Sequence, residues 1–264
     1  MAPVVLFMLD GVRPDALLAA ACPNLTAVRA RGASTLAATS VMPCITLPCH
    51  TSIFHSVPPS RHGILQNAWT PMARPVPGLI EVIRAAGRRA AVFFNWEPLR
   101  DLSRPGSLSH AFFADVQQEP AGDDLIAAEV LRFLARDQAD FLFVYFGTVD
   151  TAGHDHGWMA PGYLRQLERV DAAFGRVLNA LPAETRLLIQ ADHGGHDRNH
   201  GEDVPEDMTI PWIVAGPGIR AGHTIQAPIN LIDSAPTLAR LLGLTPPPAW
   251  EGRCPAEIFT DPAA

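Results

Sequence analysis

The sequence predicts an α/β fold in three layers, an α/β/α sandwich around a mostly parallel central sheet. Short apolar runs of strand length alternate with longer segments of helical character along nearly the whole chain, which is the pattern of repeated βα units. The 264 residues, 48% hydrophobic and 18% charged, suffice for one α/β domain with an ample core.

Local signals place each element in turn. Strands are predicted for the short apolar runs, at 3–9, 34–41, 89–94, 110–114, 140–147, 185–191 and 209–215. Helices are predicted for the segments between them, at 13–20, 24–31, 46–56, 77–86, 122–136, 161–180 and 232–242. Gly32 and Gly87 suit helix ends, and Pro48 suits the first turn of the helix that starts at Thr46. No linker, repeat or low-complexity tract divides the chain, so residues 1–264 are predicted to form a single domain.

Composition excludes several function classes. A formal charge of −7 argues against nucleic acid or an acidic membrane as the main partner. No apolar run reaches the length of a membrane span, and no signal peptide is visible. The cysteines form neither a paired zinc motif nor a dense disulfide framework; they are Cys22, Cys44, Cys49 and Cys254. We therefore predict reduced thiols and a cytoplasmic location.

Three aspartates follow three of the predicted strands. They are Asp10, Asp150 and Asp192, with His154 four residues after Asp150 and His193 next to Asp192. Ligands bind outside the carboxyl ends of strands in open α/β sheets, so these side chains are expected to meet there. Three carboxylates in one place repel each other unless a cation joins them. Oxygen and imidazole ligands favour zinc or manganese, and the repetition predicts two ions.

Four segments in a fixed order carry a family resemblance. They are Leu9-Asp10-Gly11, Thr46-Leu47-Pro48-Cys49-His50, Asp150-Thr151-Ala152-Gly153-His154, and Asp192-His193-Gly194-Gly195-His196 continuing to His200-Gly201. Together they resemble the alkaline phosphatase superfamily, and within it the type I phosphodiesterase/nucleotide pyrophosphatase branch. Two further matches are Arg61-His62-Gly63-Ile64 leading to Asn67, and the run Asp233-Ser234-Ala235-Pro236-Thr237-Leu238. The resemblance implies an alkaline phosphatase-like fold over nearly the whole chain.

The resemblance also implies roles for these residues. One divalent ion would be held by Asp10, Thr46, Asp192 and His193, and a second by Asp150, His154 and a third histidine. Thr46 would be the nucleophile that forms a covalent phospho-threonine, and Asn67 would donate a hydrogen bond to a phosphoryl oxygen. Zinc is the favoured metal and manganese the alternative.

The third histidine is open between two positions. His200-Gly201 follows the Asp-His-Gly segment as in some superfamily members, so His200 is preferred and His196 is the alternative. The sequence also departs from the family at Cys49, where relatives usually carry asparagine. We expect Cys49 to shape the site without taking part in the chemistry.

Each residue has an ordinary explanation when taken alone. Asp10 and Thr46 could cap helices, and Asp150 with His154 could be a surface helix pair. Their joint occurrence at strand ends favours a metal site. Aromatic and amide side chains on nearby loops suit a nucleobase or an aryl group, although core packing explains them equally well: Trp69, Phe94, Asn95 and Trp96.

The predicted function is hydrolysis of phosphoric esters, with diesters or pyrophosphates preferred to monoesters. Monoesterases bind a dianion and usually add a cationic clamp, whereas this chain has no lysine. The substrate would be a small phosphoester, with a nucleotide as one candidate, and the short stretch between Asn67 and Asp150 leaves no room for a large cap domain. Rivals are a phosphomonoesterase, a sulfatase, a phosphoglycerate mutase-like enzyme and a non-catalytic binding module. The sequence is silent on oligomeric state.

Overall fold

Eight strands form one sheet at the centre of the computed structural model, which describes residues 2–261. They are β1 (Val4–Leu9), β2 (Gly32–Thr39), β3 (Ala90–Phe94), β4 (His110–Phe113), β5 (Phe141–Phe146), β6 (Arg186–Gln190), β7 (Thr209–Ala215) and β8 (His223–Thr224). Their order across the sheet is β4-β3-β5-β1-β6-β7-β2-β8. Only β7 is antiparallel to its neighbours, so the prediction of a mostly parallel sheet is confirmed.

Helices flank the sheet in two groups. They are α1 (Pro14–Ala19), α2 (Pro23–Ala30), α3 (Thr46–His55), α4 (Pro59–His62), α5 (Leu79–Ala85), α6 (Gly122–Leu134), α7 (Thr148–His156), α8 (Pro161–Ala180), α9 (Pro205–Met208) and α10 (Ser234–Leu241), with short 3-10 turns at Glu97–Leu102, Leu231–Asp233 and Ala256–Ile258. The long helix α8 packs on α2, α6 and α7, whereas α3 packs on α5 and α10. Among residues 2–261, no helix combines the length and the apolar character needed to cross a bilayer.

The sequence signals missed α4, α7, α9 and the two-residue strand β8. For the site, α7 is the one that matters. It begins two residues after the end of β5, and its sequence is largely polar. The sequence therefore shows neither a turn before this helix nor the spacing of apolar residues that would predict it.

Strand register brings the functional residues to one edge of the sheet. The central strands β1 and β5 are buried along their whole length, and Leu9 at the end of β1 pairs with Phe146 at the end of β5. On the other side of β1, Met8 pairs with Gln190, the last residue of β6. Because three parallel strands end level with one another, the segments that follow them leave the sheet side by side.

Candidate metal centre

The three aspartates meet at this edge. Asp10 follows β1 directly, Asp150 lies in the first turn of α7, and Asp192 comes two residues after β6. Asp10 and Asp192 are completely buried and Asp150 is 6% exposed. Carboxylates are almost never buried without a partner, so their convergence calls for positive charge.

A first group consists of Asp10, Asp192 and His193, whose ligand-type atoms lie within 4.8 Å of one another. His193 Nε2 is 3.3 Å from Asp10 Oδ1 and 3.4 Å from Asp192 Oδ2. The hydroxyl oxygen of Thr46 is 3.3 Å from the same nitrogen. The predicted nucleophile therefore borders the first group.

A second group consists of Asp150, His154 and His200, again within 4.8 Å. His154 Nε2 is 3.5 Å from Asp150 Oδ2, and His200 Nε2 is 3.7 Å from Asp150 Oδ1. The rings of His193 and His200 stack with their centroids 3.8 Å apart. The two groups are thus immediate neighbours.

All three histidines are held in one tautomer. Each has its Nδ1 within hydrogen-bond distance of a backbone carbonyl oxygen, namely His193 with Gly194 at 2.8 Å, His154 with Arg198 at 2.9 Å and His200 with Cys44 at 2.9 Å. A carbonyl oxygen can only accept, so Nδ1 carries the proton and Nε2 offers a lone pair. Ligand histidines are typically oriented in this way by a bond from the other ring nitrogen.

These atoms fit a pair of divalent cations. Among the described residues, the buried oxygens Asp10 Oδ1, Asp150 Oδ1 and Asp192 Oδ2 have no hydrogen-bond partner. The nearest imidazole nitrogens face them with lone pairs, so the contacts join acceptor to acceptor. A cation bound between oxygen and nitrogen removes this conflict, and the donor set is one that zinc and manganese accept.

The electrostatics agree with this fit. Burial, followed by repulsion from Asp192 and Asp150, raises the pKa of Asp10 well above its usual value. Burial and the charge of Asp150 raise the pKa of Asp192 to about 8. Burial also lowers the pKa of His193 well below 6.5, so its imidazole is neutral. Without bound cations, the buried carboxylates of this centre have too little positive charge around them to balance their own negative charge.

Two supporting side chains were given no ligand role by the sequence. The buried hydroxyl of Tyr145, near the end of β5, donates a hydrogen bond to Asp10 Oδ2. The buried ring of His50 places Nδ1 2.8 Å from the carbonyl oxygen of Thr46 and 3.5 Å from Asp192 Oδ2. A hydroxyl in an otherwise apolar strand was the only sequence signal for Tyr145.

Thr46 is the first residue of α3, where unpaired backbone N–H groups and the helix dipole favour an anion. The side-chain oxygen of Asn67 accepts the N–H of Leu47 at 2.9 Å. With its oxygen engaged, the Asn67 amide offers its NH₂ group as a donor next to the same helix terminus.

Other predicted neighbours lie elsewhere. His196 bonds to Asp207 at 2.7 Å and belongs to neither group. Phe94 and Asn95, expected on loops facing the site, are buried, because Phe94 stacks on Phe113 with centroids 5.3 Å apart and Asn95 donates to Asp123 at 2.8 Å. Of the two explanations that the sequence left open for Phe94 and Asn95, their burial favours core packing.

The other two side chains, Trp69 and Trp96, lie in different surroundings. Trp69 is 47% exposed and lines a surface cavity of about 470 Å³, whereas Trp96 packs against the core.

Cys49 is fully buried beside Ser40, and burial raises the pKa of its thiol well above 9. A neutral buried thiol agrees with a shaping role.

A pair of histidine variants tests the choice of third ligand. We expect His200→Ala to lose about one metal ion per chain, because it removes an Nε2 that faces Asp150. His196→Ala is the matched control and should keep both ions, because that ring is tied to Asp207. Metal content after gel filtration, measured by plasma mass spectrometry, decides between them; loss of metal in the His196 variant alone would reverse the assignment.

A centre of two carboxylate–imidazole groups beside a helix-terminal threonine, on a mostly parallel α/β sheet, defines a member of the alkaline phosphatase superfamily. The chain matches the family described as type I phosphodiesterase / nucleotide pyrophosphatase over residues 4–209, and it belongs to that family.

Curated relatives are larger proteins. The chain is 30% identical over 189 residues to the catalytic subunit of GPI ethanolamine phosphate transferase 3 from Mus musculus, a match that covers 69% of this chain and 17% of the relative. It is also 30% identical over 146 residues to a 2,3-bisphosphoglycerate-independent phosphoglycerate mutase from Rhodopirellula baltica, covering 53% of this chain and 26% of that enzyme. The chain therefore spans about a sixth and about a quarter of these two proteins.

Solved structures establish the fold. Human ectonucleotide pyrophosphatase / phosphodiesterase 5 superposes with a TM-score of 0.82 at 15% identity, covering 98% of this chain and 100% of that one. An inactive threonine-to-alanine variant of the murine protein in complex with AMP gives 0.78 at 17% identity, covering 94% and 96%. A 2-O GAG sulfatase gives 0.76 at 16% identity, covering 95% and 72%. The prediction of an alkaline phosphatase-like fold is confirmed.

Proposed function

We propose that this protein hydrolyses phosphodiester or nucleotide pyrophosphate bonds through a covalent phospho-threonine on Thr46, with two divalent metal ions. One observation carries the proposal: the Thr46 hydroxyl lies at a helix N-terminus and 3.3 Å from the imidazole nitrogen of the first ligand group. A threonine that served only as a helix cap would not need a neighbouring cluster of buried carboxylates and neutral imidazoles.

Two sets of residues would hold the ions. The first set is Asp10, Asp192 and His193 with the Thr46 hydroxyl, and the second is Asp150, His154 and His200. Zinc is the preferred ion and manganese the alternative. Bound ions at these positions lower the pKa of an attacking hydroxyl and neutralise charge on the phosphoryl group and its leaving oxygen.

The chain's own groups then account for the steps. Thr46 Oγ1 gives up its proton and forms a bond to phosphorus, while the bond from phosphorus to the leaving oxygen breaks and that oxygen takes up a proton. A water molecule next attacks the phospho-threonine, phosphorus separates from Oγ1, and Thr46 regains its proton. The N-terminus of α3 and the Asn67 amide stabilise the phosphoryl oxygens in both steps.

Two observations bear on the substrate. The murine structural neighbour is in complex with AMP, which supports a nucleotide as one substrate class for this chain. The sequence has no lysine, and no arginine lies in the Asp10, Thr46 and Asp150 segments, with Arg61 and Arg198 near them; this disfavours the extra cationic clamp that a phosphate dianion requires.

The rival activities are weaker. A sulfatase of this superfamily needs a Cys-x-Pro-x-Arg segment, but this chain carries Thr46 and lacks the arginine. A phosphoglycerate mutase would use serine and a sizeable inserted domain. A non-catalytic binding module would not need the complete set of groups around Thr46.

We also propose that residues 1–264 act as one catalytic domain without a large cap. The nearly complete overlap with the human phosphodiesterase structure, 98% of one chain and 100% of the other, supports this.

All four cysteines are free thiols, which agrees with the proposed cytoplasmic location.

Two chromogenic esters test the substrate preference. We expect kcat/KM for bis-p-nitrophenyl phosphate to exceed that for p-nitrophenyl phosphate by about 10-fold or more, a difference of about 1.4 kcal/mol in transition-state stabilisation. The measurement uses protein shown by plasma mass spectrometry to hold two ions per chain. A large excess of activity on the monoester would contradict the diester assignment.

A further inference from the structure

Trp158 is a buried indole that lies between the segments carrying the two ligand groups. It follows α7 after one residue and is 7% exposed. Its Nε1–H donates to the backbone oxygen of Gly11, the residue after Asp10, at 2.9 Å. The indole thereby ties the end of α7 to the end of β1.

The same indole contacts two ligand histidines of the second group. Its ring meets His154 edge-on, with centroids 5.0 Å apart and planes at 87°, and it meets His200 at 5.9 Å and 65°. Because Nδ1 of each histidine bonds to a backbone carbonyl, ring packing is the remaining restraint on where Nε2 points. Trp158 contributes to that restraint for both rings, together with the stacking of His200 on His193.

Two glycines make room for the indole. A Cβ atom at Gly153 would lie 2.6 Å from Trp158 Cε2, and one at Gly195 would lie 2.2 Å from the same atom. No real Cβ atom tolerates such distances, so these segments approach the indole closely only because both residues lack a side chain. Gly153 precedes His154, and Gly195 lies in the loop that leads to His200.

Gly11 connects the indole to both groups. Its N–H donates to Asp192 Oδ1 of the first group at 3.3 Å, while a Cβ on it would lie 3.0 Å from the Cα atom of Asp150 in the second. Its φ of +68° is one that glycine adopts freely. The Gly11 carbonyl accepts from Trp158 and also from the Tyr163 hydroxyl, each at 2.9 Å, so both side chains hold the peptide that lies between the two ligand groups.

The backbone around Trp158 is held in unusual conformations. Its N–H donates to the carbonyl oxygen of Asp197 at 2.7 Å, and Asp197 itself has a φ of +46°. The next residue, Met159, has a φ of +65°. Non-glycine residues in this region are strained and persist where surrounding contacts enforce them, often at functional sites.

We propose that Trp158 is a positioning residue that sets the relative placement of the two ligand groups and so their affinity for metal. The inference rests on the proposed function, because it presupposes that the groups bind ions. Trp158 belongs to neither ligand group; it acts through Gly11, His154 and His200. Its loss should therefore weaken metal binding more than it weakens the fold.

Trp250 provides a matched control. It is 8% exposed, and its Nε1–H also donates to a backbone carbonyl, that of Pro77, at 2.7 Å. It belongs to neither ligand group. Trp250→Phe thus removes the same hydrogen bond from an equally buried indole without touching the candidate centre.

The test measures zinc affinity of metal-free protein by competition with a chromophoric chelator, together with the melting temperature of the metal-free forms. We expect Trp158→Phe, which keeps an aromatic ring, to raise the dissociation constant of the more weakly held ion about 10-fold, and Trp158→Leu to raise it about 100-fold. Trp250→Phe should stay within about twofold of wild type while lowering the melting temperature by a similar amount to Trp158→Phe.

The outcomes separate the inference from the proposed function. If wild-type protein binds neither zinc nor manganese, the metal centre itself fails. If wild type binds two ions and Trp158→Phe binds them equally tightly, or if Trp250→Phe loses as much affinity, Trp158 is an ordinary core residue and the inference is wrong. Should Trp158→Leu not fold, the phenylalanine variant alone decides.

Discussion

Thr46→Ala is expected to lower turnover of bis-p-nitrophenyl phosphate by about 10⁴-fold or more while both metal ions remain bound. The variant lacks Oγ1, the atom proposed to bond to phosphorus, so the two-step route through phospho-threonine is closed. Metal should remain because Asp10, Asp192 and His193 still form the first group without the hydroxyl. Initial rates give the loss of activity, and plasma mass spectrometry gives the metal content of the same sample.

Thr51→Ala is the matched control on the same helix. Thr51 is also buried, and its hydroxyl donates to the carbonyl oxygen of Leu47 at 2.8 Å. Its removal should leave kcat within a few-fold of wild type, because it lies one turn beyond the helix N-terminus. Thr46→Ser, which retains an Oγ, should recover part of the activity. Retained turnover in Thr46→Ala, or an equal loss in Thr51→Ala, would remove the nucleophile assignment.

The placement of the three aspartates was predictable because parallel strands restrict where the residues after them can lie. Apolar runs identified β1, β5 and β6, and parallel pairing ends these strands at a common edge. Asp10 and Asp192 are one and two residues beyond their strands, so register alone carries them to the site. The motif order then indicated Thr46, which lies at the start of α3 and not directly after one of these strands.

The supporting side chains were beyond the reach of sequence signals because their partners are distant along the chain. Tyr145 bonds to Asp10 across 135 positions, and Trp158 bonds to Gly11 across 147. Nothing local marks either residue as different from a core aromatic. The motif order preferred His200 to His196 as the third ligand, and the pairing of His196 with Asp207 supports that preference.

The stability of the metal-free wild type, relative to that of metal-free Asp192→Asn, should fall as pH rises from 6.5 to 8. Burial raises the folded-state pKa of Asp192 to about 8 and that of Asp10 well above 3.8, so the folded chain keeps protons that the unfolded chain has already lost. Stability falls with pH wherever the folded state binds more protons. One such proton corresponds to a loss of about 1–2 kcal/mol over this window. Urea unfolding of chelator-treated protein at several pH values measures it.

The comparison with Asp192→Asn removes the contributions of the other buried titratable groups, which are present in both proteins. Asp123, with a pKa of about 6, and the buried histidines His50, His55 and His62, with pKa values of about 4, still act near pH 6.5; the histidines give a slope of the opposite sign, because the unfolded chain binds protons there that the folded chain does not. His196, whose pKa is raised by its bond to Asp207, contributes a slope of the same sign, so the measurement is made in the His196→Ala background as well.

Asp192→Asn and metal loading provide the two controls for this slope. Asparagine cannot titrate, so the metal-free variant should lack the fall in stability that Asp192 contributes. Metal-loaded wild type should also lack this fall, because coordinated carboxylates stay ionised, and it should gain about 2.7 kcal/mol per site at an ion concentration of 100 times the dissociation constant. A metal-free wild type whose stability follows that of Asp192→Asn between pH 6.5 and 8 would mean that the carboxylates already have a positive partner within the protein. In that case the physical reason for placing cations between Asp10, Asp150 and Asp192 would disappear.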